Sequence, residues 1–170
     1  MEILVTGSEG FIGKALIARL LASGHTVTGF DAPEGDIAEK GILDNLKDTG
    51  IGYVFHLAAK TFVPESWNNP FDFYRVNLLG TTNVLEFCRA TGAGLSYISS
   101  YLYGTPGYLP VDEKHPLKAH NPYSHSKIVA EETCRYYRDQ FKIPVTIFRP
   151  FNIYGPGQDQ RFLIPKIIAQ

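Results

Sequence analysis

The first thirteen residues, MEILVTGSEGFIG, constrain the fold of this chain more than any other segment. Residues 2–6 form an apolar run typical of a buried parallel strand, and the apolar residues of 11–22 recur at helical spacing. Glycines fill the turn between them. Free amides and the helix dipole favour an anion at such a helix N-terminus. The segment therefore predicts a dinucleotide-binding strand–turn–helix unit.

The three glycines of this turn have different expected roles. Gly7 permits the tight turn, Gly10 lets the backbone approach a pyrophosphate, and Gly13 lets the helix pack against the strand. Phe11 and Ile12 open the helix and belong to the same predicted contact with the cofactor. A glycine-rich turn without any ligand is the alternative at this point.

Asp31 favours the ligand-binding interpretation. It ends a second predicted strand, 18 residues after Gly13, where a carboxylate can bind the hydroxyls of the adenosine ribose. The same carboxylate would repel a 2′-phosphate. We therefore expect NAD rather than NADP as the cofactor.

Strand and helix patterns alternate along the rest of the chain. Further strands are expected at 25–31, 53–58, 95–99 and 143–150, and further helices at 38–49, 70–91, 123–141 and 162–169. This alternation predicts an α/β fold with a doubly wound parallel sheet and right-handed helical crossovers, as in Rossmann domains.

Composition and charge exclude several classes of function. The 16 basic and 17 acidic residues give a net charge of −1, without the basic surplus that nucleic acids or acidic membranes attract. Cys88 and Cys134 form no CxxC pair or His/Cys cluster, so neither a disulfide framework nor a metal site is expected. The chain shows no secretion signal and no membrane-spanning run, and we expect a cytoplasmic protein.

Tyr123 and Lys127 are the candidate catalytic pair. At i and i+4 they share one helix face, and an ammonium beside a phenol favours the phenolate, which suits a general acid/base. Such a pair is more often a solvated helix face. Here it follows a strand that ends in Ser99-Ser100, and ligands of parallel sheets bind at the carboxyl ends of strands.

The motif TGxxGFIG, with its GxxGxxG spacing, resembles the extended short-chain dehydrogenase/reductases, in particular the NAD-dependent epimerase/dehydratase family of UDP-glucose 4-epimerase-like proteins. Three further segments fit this resemblance: His56-Leu57-Ala58-Ala59, Asn77-Leu78-Leu79-Gly80-Thr81, and the run from Arg149 to Pro156. Together the motifs span residues 3–156. The resemblance implies a Rossmann fold, NAD as cofactor and a nucleotide-sugar substrate.

The resemblance also implies catalytic roles. The catalytic serine stands five residues before the glycine of the SSxxVYG-like segment, which gives Ser99, while an alignment with a one-residue gap leaves Ser100 open. Tyr123 would exchange the proton of a sugar hydroxyl, and Lys127 would lower its pKa and hold the nicotinamide ribose. The 4,6-dehydratases carry Asp and Glu where this chain has Ser100 and Tyr101, so a dehydratase is disfavoured.

Cofactor and substrate contacts follow from the same motifs. The implied cofactor contacts are Leu57, Ala58, Ala59, Asn77 and Pro150, with Asp36 and Ile37 against the adenine and with Tyr123 and Lys127 near the nicotinamide. Ser100 and Asn152 are expected to bind the substrate. His56 is expected to be a satisfied core histidine rather than a catalytic group.

The chain departs from the family pattern in two places. Only four residues separate Asp31 from Asp36, so we expect the sheet to be shortened at its adenine-side edge. This feature is similar to the dTDP-4-dehydrorhamnose reductases. Family members also continue beyond the equivalent of Gln170. We therefore expect an NAD-binding domain at 1–156 and, at 157–170, the start of a substrate-binding region that is missing or truncated.

These observations predict an NAD-dependent nucleotide-sugar epimerase/dehydratase-type oxidoreductase. A dehydrorhamnose-reductase-like ketoreductase and a non-catalytic NAD-binding module remain as alternatives. The family resemblance further implies a homodimer that pairs through the helices at 70–91 and 123–141.

Overall fold

The computed structural model describes residues 1–170. The strands are β1 (Glu2–Thr6), β2 (Thr26–Phe30), β3 (Tyr53–His56), β4 (Gly94–Ile98) and β5 (Val145–Phe148). The helices are α1 (Phe11–Ala22), α2 (Val63–Asn68), α3 (Pro70–Tyr74), α4 (Gly80–Thr91), α5 (Pro122–Phe141) and α6 (Leu163–Ile168), with a π-helical turn at Arg75–Leu79 and a 3₁₀ turn at Asp44–Leu46.

All five strands are parallel and lie in the order β2-β1-β3-β4-β5. The six-stranded Rossmann order is 3-2-1-4-5-6. The observed sheet is that order without its third strand, so β2 is an edge. Both the doubly wound parallel fold and the shortened adenine-side edge are therefore confirmed.

The main core lies between the sheet and the helices α4 and α5. Leu4, Val54 and Leu95 stand side by side in the strand register and contribute to one buried cluster with residues of both helices. Helix α1 packs against β1 and β2. Strands β1 and β4 are nearly continuous runs of buried residues, as expected of a sheet that is covered by helices.

The expected helix at 38–49 is wrong. This segment consists of turns, because Gly41 adopts a left-handed φ of 78° and the side chain of Asn83 binds the carbonyls of Ile37 and Glu39. Helix α2 was not expected at all. Its six residues lie between proline and asparagine signals that are typical of loops.

The expected helix at 70–91 is confirmed as a continuous helical stretch, but its middle is one π-helical turn. Turns of this kind often occur at functional sites. Gly92 ends the stretch with a left-handed φ of 78°. The helices at 11–22 and 123–141 and the four further strands are found within a few residues of their expected bounds.

No helix of the protein is both long enough and apolar enough to span a membrane. Cys88 and Cys134 are free and buried, and no group of His, Cys, Asp and Glu residues is arranged to hold a metal ion.

Candidate functional site

A cleft of about 1050 Å³ runs along the carboxyl ends of the strands. Every predicted site residue except Asn77 lines it: Gly7, Gly10, Phe11, Ile12, Gly13, Asp31, Asp36, Ile37, Leu57, Ala58, Ala59, Ser99, Ser100, Tyr123, Lys127, Pro150 and Asn152. Residues from all five strand ends thus meet in one cavity, where ligands of open parallel sheets bind.

The glycine turn is shaped by packing at two of its three positions. A Cβ at Gly7 would lie 2.7 Å from the amide of Ala58, and one at Gly13 would lie 2.1 Å from the carbonyl oxygen of Gly7. A Cβ at Gly10 would come only to 3.1 Å from that oxygen, and Gly10 is exposed. The protein's own packing therefore requires Gly7 and Gly13 but not Gly10, whose missing side chain leaves room in the cleft.

The start of α1 offers unused donors to this space. The backbone amides of Phe11, Ile12 and Gly13 have no acceptor within the protein. Asp31 is fixed beside them, because its Oδ2 accepts a hydrogen bond from the amide of Glu9 at 2.8 Å. An anion-binding helix end next to an oriented carboxylate fits the pyrophosphate and ribose of a dinucleotide.

The adenine end of the cleft contains an ion pair that links distant parts of the chain. Asp36 binds the guanidinium of Arg75 and accepts a hydrogen bond from the amide of Ala38, and these contacts lower the pKa of Asp36. Arg75 also contacts Asp72. Ile37 reaches the cleft, but most of its side chain is buried in the core against Gly80.

Tyr123 lies in the first turn of α5 and is half-buried. Burial raises its pKa above the ordinary value, and the neighbouring Ser100 hydroxyl partly opposes this shift. Ser99 Oγ is instead fully buried: it makes no hydrogen bond of normal geometry, but it lies beside the Glu131 carboxylate and helps to lower the pKa of that group. Ser100, rather than Ser99, is therefore the hydroxyl that lies beside Tyr123.

Lys127 is buried one turn further along α5. Its Nζ donates a hydrogen bond to the carbonyl of Ile98 at 2.6 Å, and burial lowers its pKa to about 8. Burial, Ser100 and Tyr101 are the causes of the Tyr123 pKa shift, and the role expected of Lys127 toward Tyr123 stays a prediction. The ammonium is directed at the end of β4 and keeps two further N–H donors.

Asn77 lies behind the cleft wall. Its Oδ1 accepts a hydrogen bond from the amide of Lys60, and its Nδ2 donates to the carbonyl of Lys60 and to Ser126 Oγ, next to Lys127 in sequence. These contacts use the polar atoms of its side chain. Asn77 therefore links the loop that follows β3, at Lys60, to α5, at Ser126, from a buried position.

His56 has the character expected of a core histidine. Its two ring nitrogens lie 2.7 Å from Thr6 Oγ1 and 3.0 Å from Thr81 Oγ1. Burial, with a smaller effect of the Lys127 charge, lowers its pKa to about 3. A neutral imidazole therefore joins β1, β3 and α4.

The side of the cleft formed by the segment after β5 carries an aromatic wall. Phe151 stacks on Tyr101 at 5.5 Å and on Tyr103 at 6.2 Å between ring centroids. Beneath it, Arg149 donates to the buried carboxylate of Glu131 at 2.7 Å. Although burial alone would raise the pKa of Glu131, the arginine contacts hold it below the ordinary value.

Residues 157–170 fold back over the cleft. The ring of Phe162 meets that of Phe62 edge-on at 6.0 Å, and the guanidinium of Arg161 lies 5.1 Å from the centroid of the same Phe62 ring. This contact brings the segment after Gly157 into the cleft lining beside Pro64 and Val63.

Several functional candidates were missed in the sequence. Lys60, Arg75 and Arg161 line the cleft, and Glu131 anchors its floor. Of these residues, only Lys60 could have been predicted from the sequence, because it directly follows Ala59, a predicted cofactor contact. The others depend on pairings between separate elements that no local pattern encodes.

Comparison with known proteins shows which family has this architecture. The family model described as "NAD dependent epimerase/dehydratase family" matches residues 3–170. The chain belongs to this family. The UDP-glucose 4-epimerase of Mycolicibacterium smegmatis is 32% identical to it, and the match covers 94% of the chain and 58% of that protein. The GDP-6-deoxy-D-mannose reductase of Pseudomonas aeruginosa is 36% identical, with 99% and 58% covered.

A solved structure shows the same fold. The double mutant of the dTDP-glucose 4,6-dehydratase from Streptomyces venezuelae, solved with NAD bound, is similar at a TM-score of 0.91 and 29% identity, over 99% of this chain and 61% of that one. Other solved neighbours hold NAD or NADPH. The family assignment agrees with the expected cofactor, NAD. The chain spans about 58% of the length of the curated relatives described above.

Proposed function

We propose that this protein catalyses NAD-dependent hydride transfer at a sugar carbon of a nucleotide sugar, with Ser100, Tyr123 and Lys127 as the working side chains. The observation that carries the proposal is that these three residues share one cleft with the unused amides of the glycine turn and with Asp31. The family's epimerases, reductases and dehydratases support this class of reaction.

Residues of the glycine turn and the strand ends hold the cofactor. The free amides of α1 bind the pyrophosphate, the Asp31 carboxylate binds the adenosine ribose, and the Asp36–Arg75 pair borders the adenine. NAD, when bound, supplies the hydride acceptor.

Tyr123 moves the proton of the reacting sugar hydroxyl. Burial keeps its phenol protonated at neutral pH, which suits donation of that proton to a sugar carbonyl. In the oxidative direction Tyr123 first has to release its proton, and the phenolate then accepts the proton of the sugar hydroxyl. The Ser100 hydroxyl orients the same oxygen. Lys127 uses its remaining N–H donors to bind the nicotinamide ribose and to support a phenolate that forms on Tyr123.

Replacement of the phenol tests this assignment. In Tyr123→Phe we expect turnover to fall by roughly 10²–10⁴-fold, because proton transfer is lost, while NAD affinity changes less than about threefold. Turnover is measured on a panel of UDP-, dTDP- and GDP-sugars. A variant that retains turnover within a few-fold of the unaltered protein would contradict the role of Tyr123.

A reductase is the second candidate, favoured by the short connection between Asp31 and Asp36 and by the 36% identity to a GDP-sugar reductase. Cofactor balance separates the two reactions. An epimerase leaves NADH unchanged over many turnovers, whereas a ketoreductase consumes one reduced cofactor per product. A dehydratase is not favoured, since Ser100 and Tyr101 provide no carboxylate beside Tyr123.

A homodimer is part of the proposal. The two helices expected to pair carry exposed apolar side chains, namely Phe71, Leu79 and Tyr136. Sedimentation equilibrium tests this state: we expect a dimer that Tyr136→Glu weakens, and a monomer at micromolar concentration would contradict it.

A further inference from the structure

The Lys127 ammonium forms no ion pair with a carboxylate, unlike the other cations of the cleft. Lys60, Arg75 and Arg161 each bind a carboxylate, at Glu65, Asp36 and Asp159 respectively. Lys127 binds none and is 4% exposed. A buried ammonium without compensation loses its proton easily, since burial disfavours the charged form.

The aromatic face of Tyr97 lies directly at this ammonium. Lys127 Nζ is 4.3 Å from the centroid of the Tyr97 ring, well within the range of a cation–π contact. Tyr97 is fully buried near the carboxyl end of β4. Because neither group is screened by water, the attraction between ring and ammonium is stronger here than at an exposed site.

The other groups around Lys127 do not replace this contact. His56 on β3 is neutral at physiological pH, and Tyr123 and Cys134 on α5 are uncharged there as well. Glu131, one turn along α5, forms ion pairs with Arg149 and Arg135; its charge favours the Lys127 ammonium from a distance but forms no ion pair with it. The Ile98 carbonyl and the Tyr97 ring are the groups in direct contact with the ammonium.

We propose that Tyr97 is a positioning residue that keeps Lys127 charged and aimed at the end of β4 by presenting its ring face to the ammonium. The hydroxyl of Tyr97 lies beside Thr81 without a hydrogen bond of normal geometry, and the ring face is the part of Tyr97 that contacts the ammonium. The consequence for catalysis rests on the proposed function, because only there is a charged Lys127 needed beside Tyr123.

The test measures the protonation of Lys127 directly and needs no turnover. In protein labelled with ¹³C at lysine Cε, the Lys127 signal is assigned by its absence in Lys127→Arg, and its chemical shift is followed from pH 6 to 11. We expect a midpoint near 8 in the unaltered protein. Tyr97→Phe retains the ring and should keep this midpoint, with urea unfolding as the check on folding.

Position 97 is then replaced by a series of phenylalanines that carry an increasing number of ring fluorines. Fluorine withdraws electron density from the face of the ring and changes its shape very little. We expect the midpoint to fall stepwise, by about one unit over the series, as a desolvated cation–π contact is lost. The same residues at Phe87, which is equally buried in the same core, are the matched control and should leave the midpoint unchanged.

A midpoint that is constant across the series at position 97, or that falls equally for position 87, overturns the proposal. The proposed function fails separately, if the folded protein does not bind NAD or if Tyr123→Phe keeps its turnover. The two failures are therefore distinguishable.

Discussion

Ser99 and Ser100 are neighbours in sequence but have different surroundings. Successive side chains at a strand end point to opposite sides. The Ser100 hydroxyl lies beside Tyr123, while Ser99 Oγ is buried beside Glu131 without a hydrogen bond of normal geometry. Counting back from Gly104 favours Ser99, whereas the one-residue gap favours Ser100. The position of Ser100 beside Tyr123 supports the alignment with the one-residue gap. The spacing in the sequence does not distinguish between the two serines.

Two alanine variants separate these serines. In Ser100→Ala we expect turnover to fall by roughly 10–100-fold, because the reacting oxygen loses an oriented donor. In Ser99→Ala we expect near-normal turnover and little change in stability, since the removed hydroxyl makes no hydrogen bond of normal geometry and Glu131 keeps its contacts with Arg149 and Arg135. Steady-state kinetics and urea unfolding measure the two effects. The reverse ranking of the variants would assign the role to Ser99.

His56 makes stability depend on pH in a defined direction. Its pKa is about 3 in the folded protein and about 6.5 when unfolded. Between these values the unfolded chain binds a proton that the folded protein does not, so stability falls as pH drops from 6.5 towards 3. The slope from this group is about 1.4 kcal/mol per pH unit.

Comparison with His56→Gln isolates that slope. The variant loses ring contacts to Thr6 and Thr81, so we expect it to be less stable at pH 7. The difference between the two proteins should shrink as urea unfolding is repeated at pH 6, 5 and 4. Parallel stability curves over this range would mean that His56 is not a buried neutral imidazole.

At the scale of elements, hydrophobic periodicity located the long helices and the buried strands. It failed at 38–49, where tertiary contacts decide the conformation: Asn83 of α4 binds the carbonyls of that segment. It also missed the π-helical turn at Arg75–Leu79, because one extra residue in a helix leaves the apolar pattern nearly unchanged. That turn includes Arg75 and Asn77, two residues that support the cleft.

The start of α5 determines where Tyr123 stands. Asn121 Oδ1 accepts a hydrogen bond from the amide of Ser124 at 2.7 Å, and Ser124 Oγ accepts one from the amide of Asn121 at 3.1 Å. We expect Asn121→Ala to lower the free energy of unfolding by about 1 kcal/mol, because the helix end loses its cap. Asn121→Asp retains an acceptor and serves as the control. Equal loss in both variants would contradict a capping role.

At the scale of the whole molecule, the four-residue connection after Asp31 predicted the loss of an edge strand, and β2 is that edge. The ion pairs that border and support the cleft were not predictable. Asp36 and Arg75 are 39 residues apart, and Glu131 and Arg149 are 18 apart. Each ion pair forms because two separate elements pack together. The spacing of residues along the chain does not show which elements do so.

All five strand ends contribute residues to one cleft, and a substitution at Gly10 tests whether a dinucleotide binds there. The backbone φ of −69° at Gly10 suits any residue, and a Cβ there would lie 3.1 Å from the Gly7 carbonyl oxygen, a close contact that a small shift relieves. Such a side chain would enter the cleft at the unused amides of α1. Gly107 lies in open surroundings far from the cleft lining and is the matched control.

Calorimetric titration of NAD into the unaltered protein, Gly10→Ala and Gly107→Ala tests the central claim most directly. We expect one NAD per chain in the unaltered protein and in Gly107→Ala, with affinity at least about tenfold lower in Gly10→Ala because the pyrophosphate can no longer approach the backbone. Failure of the folded, unaltered protein to bind NAD, or equal affinity in all three proteins, would contradict the dinucleotide site.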